Sequence, residues 1–421
     1  MFELDAKQSQ FDLASRVPVK VPKEAGTCVE WVSYFDKQYA NAKVYNAFSV
    51  EELYMRAWGQ LNQLADEWEP TIRGIYDIQV VLYLIQLCDA LAEAKSGMYD
   101  FFYNAGYYFS KIAKHSHEQL TSVLREIDME KAQKKYPEHL KDLASYVAVQ
   151  AAKESEDSNT KWSETSKLLW SGLLNEKSLV ADELARLRQI AADRGRDKRT
   201  REAAVVALAH FDILAGEDEN AWDRVTTGFD EIKSQDWFGY LSTFVKERQW
   251  GRLLKWLRWL RPIIQQEALH HADEYLDFWR EAAAYVDIDK EHREVMIGLL
   301  PASYGHYARF LLDKEEFQSW ADLILALHVS PEYLDSAVLK KVERADVRVL
   351  LPIYHYAVEE SIQYKNRDGY KQAVKLLKKL AAAYKKLKQT PRFEAYLVQL
   401  IKQYSRYRAF LEELRKGKLW I

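Results

Sequence analysis

The sequence predicts an all-α protein: an N-terminal helical bundle followed by a helical-hairpin array of α-solenoid type. Three observations lead there. Only 15 Gly and 9 Pro occur in 421 residues, about half the usual share of each, and tight β-turns depend on both. Apolar residues recur at spacings of three and four along most of the chain, the signature of one helix face turned to a core. Phe211, Phe244, Phe278 and Phe310 stand 33, 34 and 32 residues apart, the period of stacked helical hairpins.

The elements follow in order. Residues 1–27 are polar, and Pro18 and Pro22 make Val17-Pro-Val-Lys-Val-Pro22 an extended lead-in. Thr27, with Glu30 three residues on, has the capping-box spacing for a helix carrying Trp31, Tyr34, Phe35 and Tyr39. Ser49, followed by Glu51 and Glu52, is read as the cap of a second helix through Leu64. Pro70 opens a third. Its segment Ile72–Leu91 is apolar over most of its circumference, as expected of a helix buried on several sides. The polar stretch Lys153–Lys161 is a linker candidate with a boundary near residue 158, and Asp193–Arg201 is a second, basic break.

Beyond it the phenylalanine repeat begins. Trp222, Trp250 and Trp320 lie downstream of Phe211, Phe244 and Phe310, and Ala215-Gly-Glu-Asp218 reads as an inter-helix turn. The consensus of the named 34-residue repeat is absent, so the array is degenerate tetratricopeptide-like. Four helical segments are expected after Pro331. One carries Pro352 in its first turn, and one has the stripe Tyr370, Val374, Leu377, Ala381, Tyr384 and Leu387. The last runs from Thr390-Pro391 through Phe393, Leu397, Leu400, Tyr404, Tyr407, Leu411 and Leu414 to Gly417 as its C′ stop. The expected organisation is a lead-in at 1–27, a helical domain at 28–157, a hairpin array at 158–343 and basic helices at 344–421 packed on the array.

Charge divides unevenly along the chain. The formal net charge is -3, yet residues 360–421 hold 16 Lys+Arg against 5 Asp+Glu. Such a basic end suits an anionic partner, although lysine is also the ordinary solvent-facing residue of a helix. The candidate nucleic-acid contacts are Lys371, Lys375, Lys378, Lys379, Lys385, Lys386, Arg392, Arg406 and Arg408. Cys28 and Cys88 are the only cysteines, too few for a disulfide framework or a Cys-rich zinc site. The start lacks the basic and apolar regions of a signal peptide, and the most apolar run, Ile78–Leu87, is interrupted by Gln79 and Gln86. The expectation is a cytoplasmic protein with no membrane partner.

Signatures of catalysis are missing: no phosphate loop, dinucleotide fingerprint, nucleophile elbow or His-Glu-x-x-His occurs. The nearest metal-like group is Glu267, His270, His271 and Glu274, in which His270 and Glu274 would share a helix face; no third ligand is evident, and solvated helix residues explain the set. His115 and His117, two apart, point away from each other on a helix. Asp287-Ile-Asp289 reads as a cap or loop rather than a Mg²⁺ site. In Trp250–Leu260, Leu253, Trp256, Leu257 and Leu260 form one face while Arg252, Lys255, Arg258 and Trp259 take the other. Core packing explains that segment more simply than base stacking or membrane contact. No catalytic, cofactor-binding or metal residue is assigned.

Several segments carry a resemblance. Pro18-Val-Lys-Val-Pro-Lys-Glu-Ala-Gly-Thr-Cys-Val-Glu-Trp31 resembles the stretch after the zinc finger in the SWIM zinc-finger proteins of Bacillus-type bacteria. Ser166–Trp170, Ala207–Phe211, Leu351–His355, Lys365–Val374 and Phe410–Lys418 resemble helical landmarks of that family. The namesake Cys-x-Cys and Cys-x-His are not in this sequence, so the resemblance implies a helical region without assigned chemistry. Zinc is expected only if an N-terminal finger exists on the natural chain. The expected function is a non-enzymatic scaffold for a protein partner, an accessory region of a zinc-finger regulatory protein. The alternative is nucleic-acid binding through the basic C-terminal helices.

Overall fold

The computed structural model describes residues 20–39, 41–94, 105–152, 161–267 and 269–419, and every regular element among them is a helix. The linker expected at 153–161 lies, apart from Lys161, outside the described residues, as does the lead-in up to residue 19. The chain packs as two compact units, residues 1–232 and 233–421. The division therefore falls inside the stretch 158–343 that the sequence reads as one array.

In the first unit the helices are α1 (Cys28–Tyr39), α2 (Ala47–Asn62), α3 (Pro70–Ala94), α4 (Ala105–Glu126), α5 (Met129–Lys135), α6 (Pro137–Ala151), α7 (Trp162–Trp170), α8 (Lys177–Ala192), α9 (Lys198–Leu214) and α10 (Asp218–Gly228). The capping box at α1 forms as the spacing requires: Glu30 N donates to Thr27 Oγ1 at 3.2 Å and Thr27 N to Glu30 Oε2 at 2.9 Å. At α2 the cap is Asn46, not Ser49. Asn46 Oδ1 accepts from Ser49 N at 2.9 Å while Ser49 Oγ accepts from Asn46 N at 3.1 Å, so Ser49 is the return partner of a capping box begun three residues earlier.

Helix α3 is the axis of this unit. Ile72, Ile75, Ile78, Val81, Leu82 and Ile85 are all buried, and α1, α2, α4, α5 and α6 pack around it. It is long and apolar enough to cross a membrane by length and composition, yet 72% of its apolar window is buried inside the protein. Each fully buried aliphatic side chain there contributes about 1.5–3 kcal/mol. Trp31 anchors the lead-in by donating Nε1–H to the Lys23 carbonyl at 3.1 Å. The same hydrophobic core continues past the expected boundary near 158, because Trp162, Leu169 and Trp170 of α7 belong to it.

The second unit is the hairpin array: α11 (Phe238–Lys246), α12 (Trp250–Gln266), α13 (Ala272–Ala283), α14 (Asp289–Gly298), α15 (Tyr304–Asp313), α16 (Phe317–Ala326), α17 (Ser336–Asp346), α18 (Leu350–Gln363), α19 (Arg367–Lys386), α20 (Thr390–Gln403) and α21 (Arg408–Lys416). Most helices pack on their sequence neighbours, the contact pattern of a repeat array. Phe244, Phe278 and Phe310 sit on α11, α13 and α15, the leading helices of successive hairpins, while Phe211 lies on α9 of the first unit.

Helix ends explain how so few glycines suffice. Six helices among those described close through the same pair of backbone bonds. At α11, Gln249 N donates to the Phe244 carbonyl at 2.8 Å and Arg248 N to Val245 at 3.1 Å. The residue that turns the chain has positive φ, and it is Gly only at Gly216; elsewhere it is Arg248, Glu315, His328, Lys388 or Lys418. Arg, Glu, Lys and His side chains therefore stand where glycine is the usual choice.

The C-terminal end departs from the sequence reading in two ways. Five helices rather than four follow Pro331, because the predicted last helix breaks at Tyr404–Tyr407 into α20 and α21. The apolar period runs on through the break since Tyr404 packs its ring 5.4 Å from Tyr407 and 6.1 Å from Phe410, which lets α21 fold back on α19. Gly417 is not the positive-φ stop; Lys418 is, with φ 58. Gly417 lacks a side chain because a Cβ there would lie 2.5 Å from Val374 Cγ1.

Candidate functional site

All nine predicted contact residues are exposed, and α19 gathers six of them. At 100° per residue, Lys371, Lys375, Lys378, Lys379, Lys385 and Lys386 fall within an arc of roughly 120°. The opposite side of α19 is spent in the core, where Tyr370, Ala373, Val374, Leu377, Leu380 and Tyr384 are buried. Local sequence fixes this arrangement: Asn366 Oδ1 caps the helix by accepting from Gly369 N at 2.8 Å. Lys371 pairs with Asp368 at 3.2 Å and Lys386 reaches Glu343 of α17 at 2.6 Å. Lys379 Nζ lies 5.6 Å from the Tyr354 ring centroid. Lys375, Lys378 and Lys385 form no ion pair among the described residues.

The three arginines lie on other elements. Arg392 is in the first turn of α20, where it adds to burial in pushing His355 of α18 below its ordinary pKa. Arg406 is in the turn before α21 and Arg408 opens that helix. The end of α21 packs against the buried side of α19, where Gly417 approaches Val374. Arg367 binds Glu412 and Glu413 at 3.3 and 3.1 Å, and Lys416 together with Arg367 holds the Glu413 carboxyl below the usual range. That network fastens α21 to the start of α19.

The metal-like group does not assemble. His270 lies in the turn before α13 rather than on it, so it shares no helix face with Glu274. The Glu267 carboxylate instead accepts from Ser234 N at 2.8 Å and Ser234 Oγ at 2.5 Å. No group of three His, Cys, Asp or Glu residues able to hold a metal occurs among the described residues. His115 and His117 are both on α4. Asp287 and Asp289 line an open cleft of about 550 Å³ with Arg258 and Glu291. Asp289 begins α14, as a cap-region residue would, and is paired with Lys314. Cys28 and Cys88 are fully buried, and burial pushes both thiols up, away from the reactive thiolate form.

The tryptophan segment of α12 is core. Leu253, Trp256, Leu257 and Leu260 are buried, and Trp256 packs 5.6 Å from Trp237 and 5.4 Å from Trp259. Arg258 forms a two-pronged pair with Glu291 at 2.7 and 2.8 Å, and Arg252 lies 4.4 Å from the Phe244 ring.

Sequence reasoning missed the exposed tyrosines of the array. Tyr285, Tyr333 and Tyr364 each stand in a turn between helices, at 62%, 86% and 61% exposure. The available signal was their setting in polar stretches such as Pro331-Glu-Tyr333-Leu-Asp335 and Tyr364-Lys-Asn-Arg-Asp368.

Among known proteins, the chain is 28% identical over 260 residues to an uncharacterised protein, YwqB, of Bacillus subtilis (strain 168). That match takes in 60% of this chain and 47% of the relative, so the chain spans about half the length of the curated relative it matches. No family model matches the chain, and no solved structure does.

Proposed function

We propose that this chain is a non-enzymatic helical-repeat scaffold that docks a protein partner. The observation that carries the reading is the set of exposed tyrosines on the array, Tyr285, Tyr333 and Tyr364, held in inter-helix turns. Tyrosine is over-represented among the anchors of protein interfaces because it offers a large, stiff, amphipathic surface. Tyr285 is further stiffened by stacking on Trp250 at 4.6 Å. On the same reading the chain is the helical region that accompanies a zinc finger in a cytoplasmic SWIM-type regulatory protein, zinc belonging to a finger this sequence does not contain.

The test is affinity capture followed by direct titration of each purified captured protein against the chain and a Tyr285→Ala/Tyr333→Ala/Tyr364→Ala variant. The expected result is a partner that binds directly and loses at least tenfold in affinity to the variant, with the variant's thermal transition preserved. Equal binding by both chains, or no direct binding by any captured protein, would overturn the proposal.

A further inference from the structure

We propose that the lysine face of α19 is a docking surface for the phosphate backbone of B-form duplex DNA, bound without regard to sequence. The inference goes beyond the scaffold reading and does not depend on it. From Lys371 to Lys386 the helix rises roughly 22 Å over about four turns, so six ammonium groups are displayed along a length that spans about six phosphates of one strand. The face has two edges. Lys378 and Lys385 lie along one and Lys379 and Lys386 along the other, ~100° apart, with Lys371 and Lys375 between them. A helix lying along a groove ~12 Å wide presents such edges to opposite walls.

The composition of the arc selects the ligand. Between Lys371 and Lys386 it holds lysines and Ala382; at the start of the helix Arg367 and Asp368 fall on the same arc, but Arg367 is tied to Glu412 and Glu413 and Asp368 to Lys371. The unpaired cations of the arc are therefore all lysines, with no free Arg, Asn or Gln to read base edges, so the contacts go to phosphate and carry no sequence information. Exposed aromatic side chains, the stacking platforms that single-stranded nucleic acid requires, are absent from the arc; Tyr370 and Tyr384 of the same helix are buried. The deep, narrow major groove of A-form RNA does not admit a helix. Membrane insertion would need an apolar face, and that of α19 is already packed in the core.

Four of the six lysines, Lys375, Lys378, Lys379 and Lys385, are free of ion pairs among the described residues. Four phosphates neutralised on duplex DNA give a log–log salt slope near -3.6, or a loss of about 100-fold in affinity between 50 and 200 mM salt.

The experiment is fluorescence anisotropy with the full chain at those two salt concentrations. The probes are a labelled 20-base-pair DNA duplex, a second duplex of unrelated sequence, a single strand and an RNA duplex, with phosphatidylcholine vesicles containing phosphatidylserine in a parallel sedimentation assay. Two variants accompany the chain: Lys375→Glu/Lys378→Glu/Lys385→Glu, and the same three lysines changed to Gln, which removes charge without reversing it. Expected are equal affinities for the two DNA duplexes, the stated salt dependence, and a loss of at least tenfold in the Gln variant at an unchanged thermal transition. Absence of duplex binding at 50 mM salt, binding that the Gln variant retains, or preferential capture by single strands, RNA or vesicles would each overturn the proposal.

Discussion

His292 makes the stability of the second unit fall with acid. It is 5% exposed on α14, stacked 6.2 Å from Trp279 at an interplanar angle of 14° and set edge-on to Phe310 at 5.8 Å. Neither ring nitrogen has a hydrogen-bond partner among the described residues. Burial, with His306 adding a like charge, pushes its pKa down from 6.5 to about 4. The unfolded chain therefore takes up the proton first, and the contribution is intact above about pH 6.5 and drains as pH falls toward about 4. The linked loss reaches about 2 kcal/mol at pH 5 and about 3 kcal/mol at pH 4. Replacing His292 by Phe keeps a flat ring between Trp279 and Phe310 and removes the titration. Urea unfolding at pH 7 and pH 5, followed by tryptophan fluorescence, should show the variant losing about 2 kcal/mol less than the wild type over that interval. Equal losses in the two proteins would refute the reasoning, because every other titrating group is common to both.

In the first unit His210 obeys the same logic: burial, then Lys167, lower its pKa to about 4, so His210→Phe should flatten the same pH window in the transition of residues 1–232. At the positive-φ turns, Arg248→Gly, Glu315→Gly and Lys388→Gly should each raise stability by about 0.5–1 kcal/mol in chemical denaturation, since glycine adopts that conformation without a Cβ clash. Gly369→Ala should cost about 2 kcal/mol or more, measured by thermal unfolding, because its Cβ would lie 2.5 Å from the Ser361 carbonyl oxygen where α19 meets α18. Thr27→Ala should cost about 1 kcal/mol by removing the α1 cap, while Thr27→Ser should be nearly neutral.

Much of the fold was legible because local chemistry and tertiary packing agree. Thr27 and Glu30 cap α1, Pro70 opens α3, and the face Leu253, Trp256, Leu257 and Leu260 is the buried one. Where two local signals compete, sequence alone does not choose: Asn46 and Ser49 are both good caps three residues apart, and their reciprocal bonds decide only in three dimensions. The break at Tyr404–Tyr407 was hidden because aromatic packing across the turn preserves the apolar period that a continuous helix would show. His292 was invisible for a related reason, since Lys290-Glu-His292-Arg-Glu294 reads as a solvated face. The lysine face was legible as spacing on one helix. Its ion pairs with Asp368 and Glu343 depend respectively on side-chain rotamers and on a distant segment, neither of which a periodicity reveals.

Because backbone closure rather than glycine shapes the helix ends, each tip position is an open site for charge. Arg248, Glu315, His328, Lys388 and Lys418 already occupy five of them, four kinds of side chain at similar φ. Evolution can thus repaint the rim of the array, one corner at a time and in either sign, while the hairpins beneath keep their register. A lineage of such proteins would vary the charge of its corners long before it changed its core.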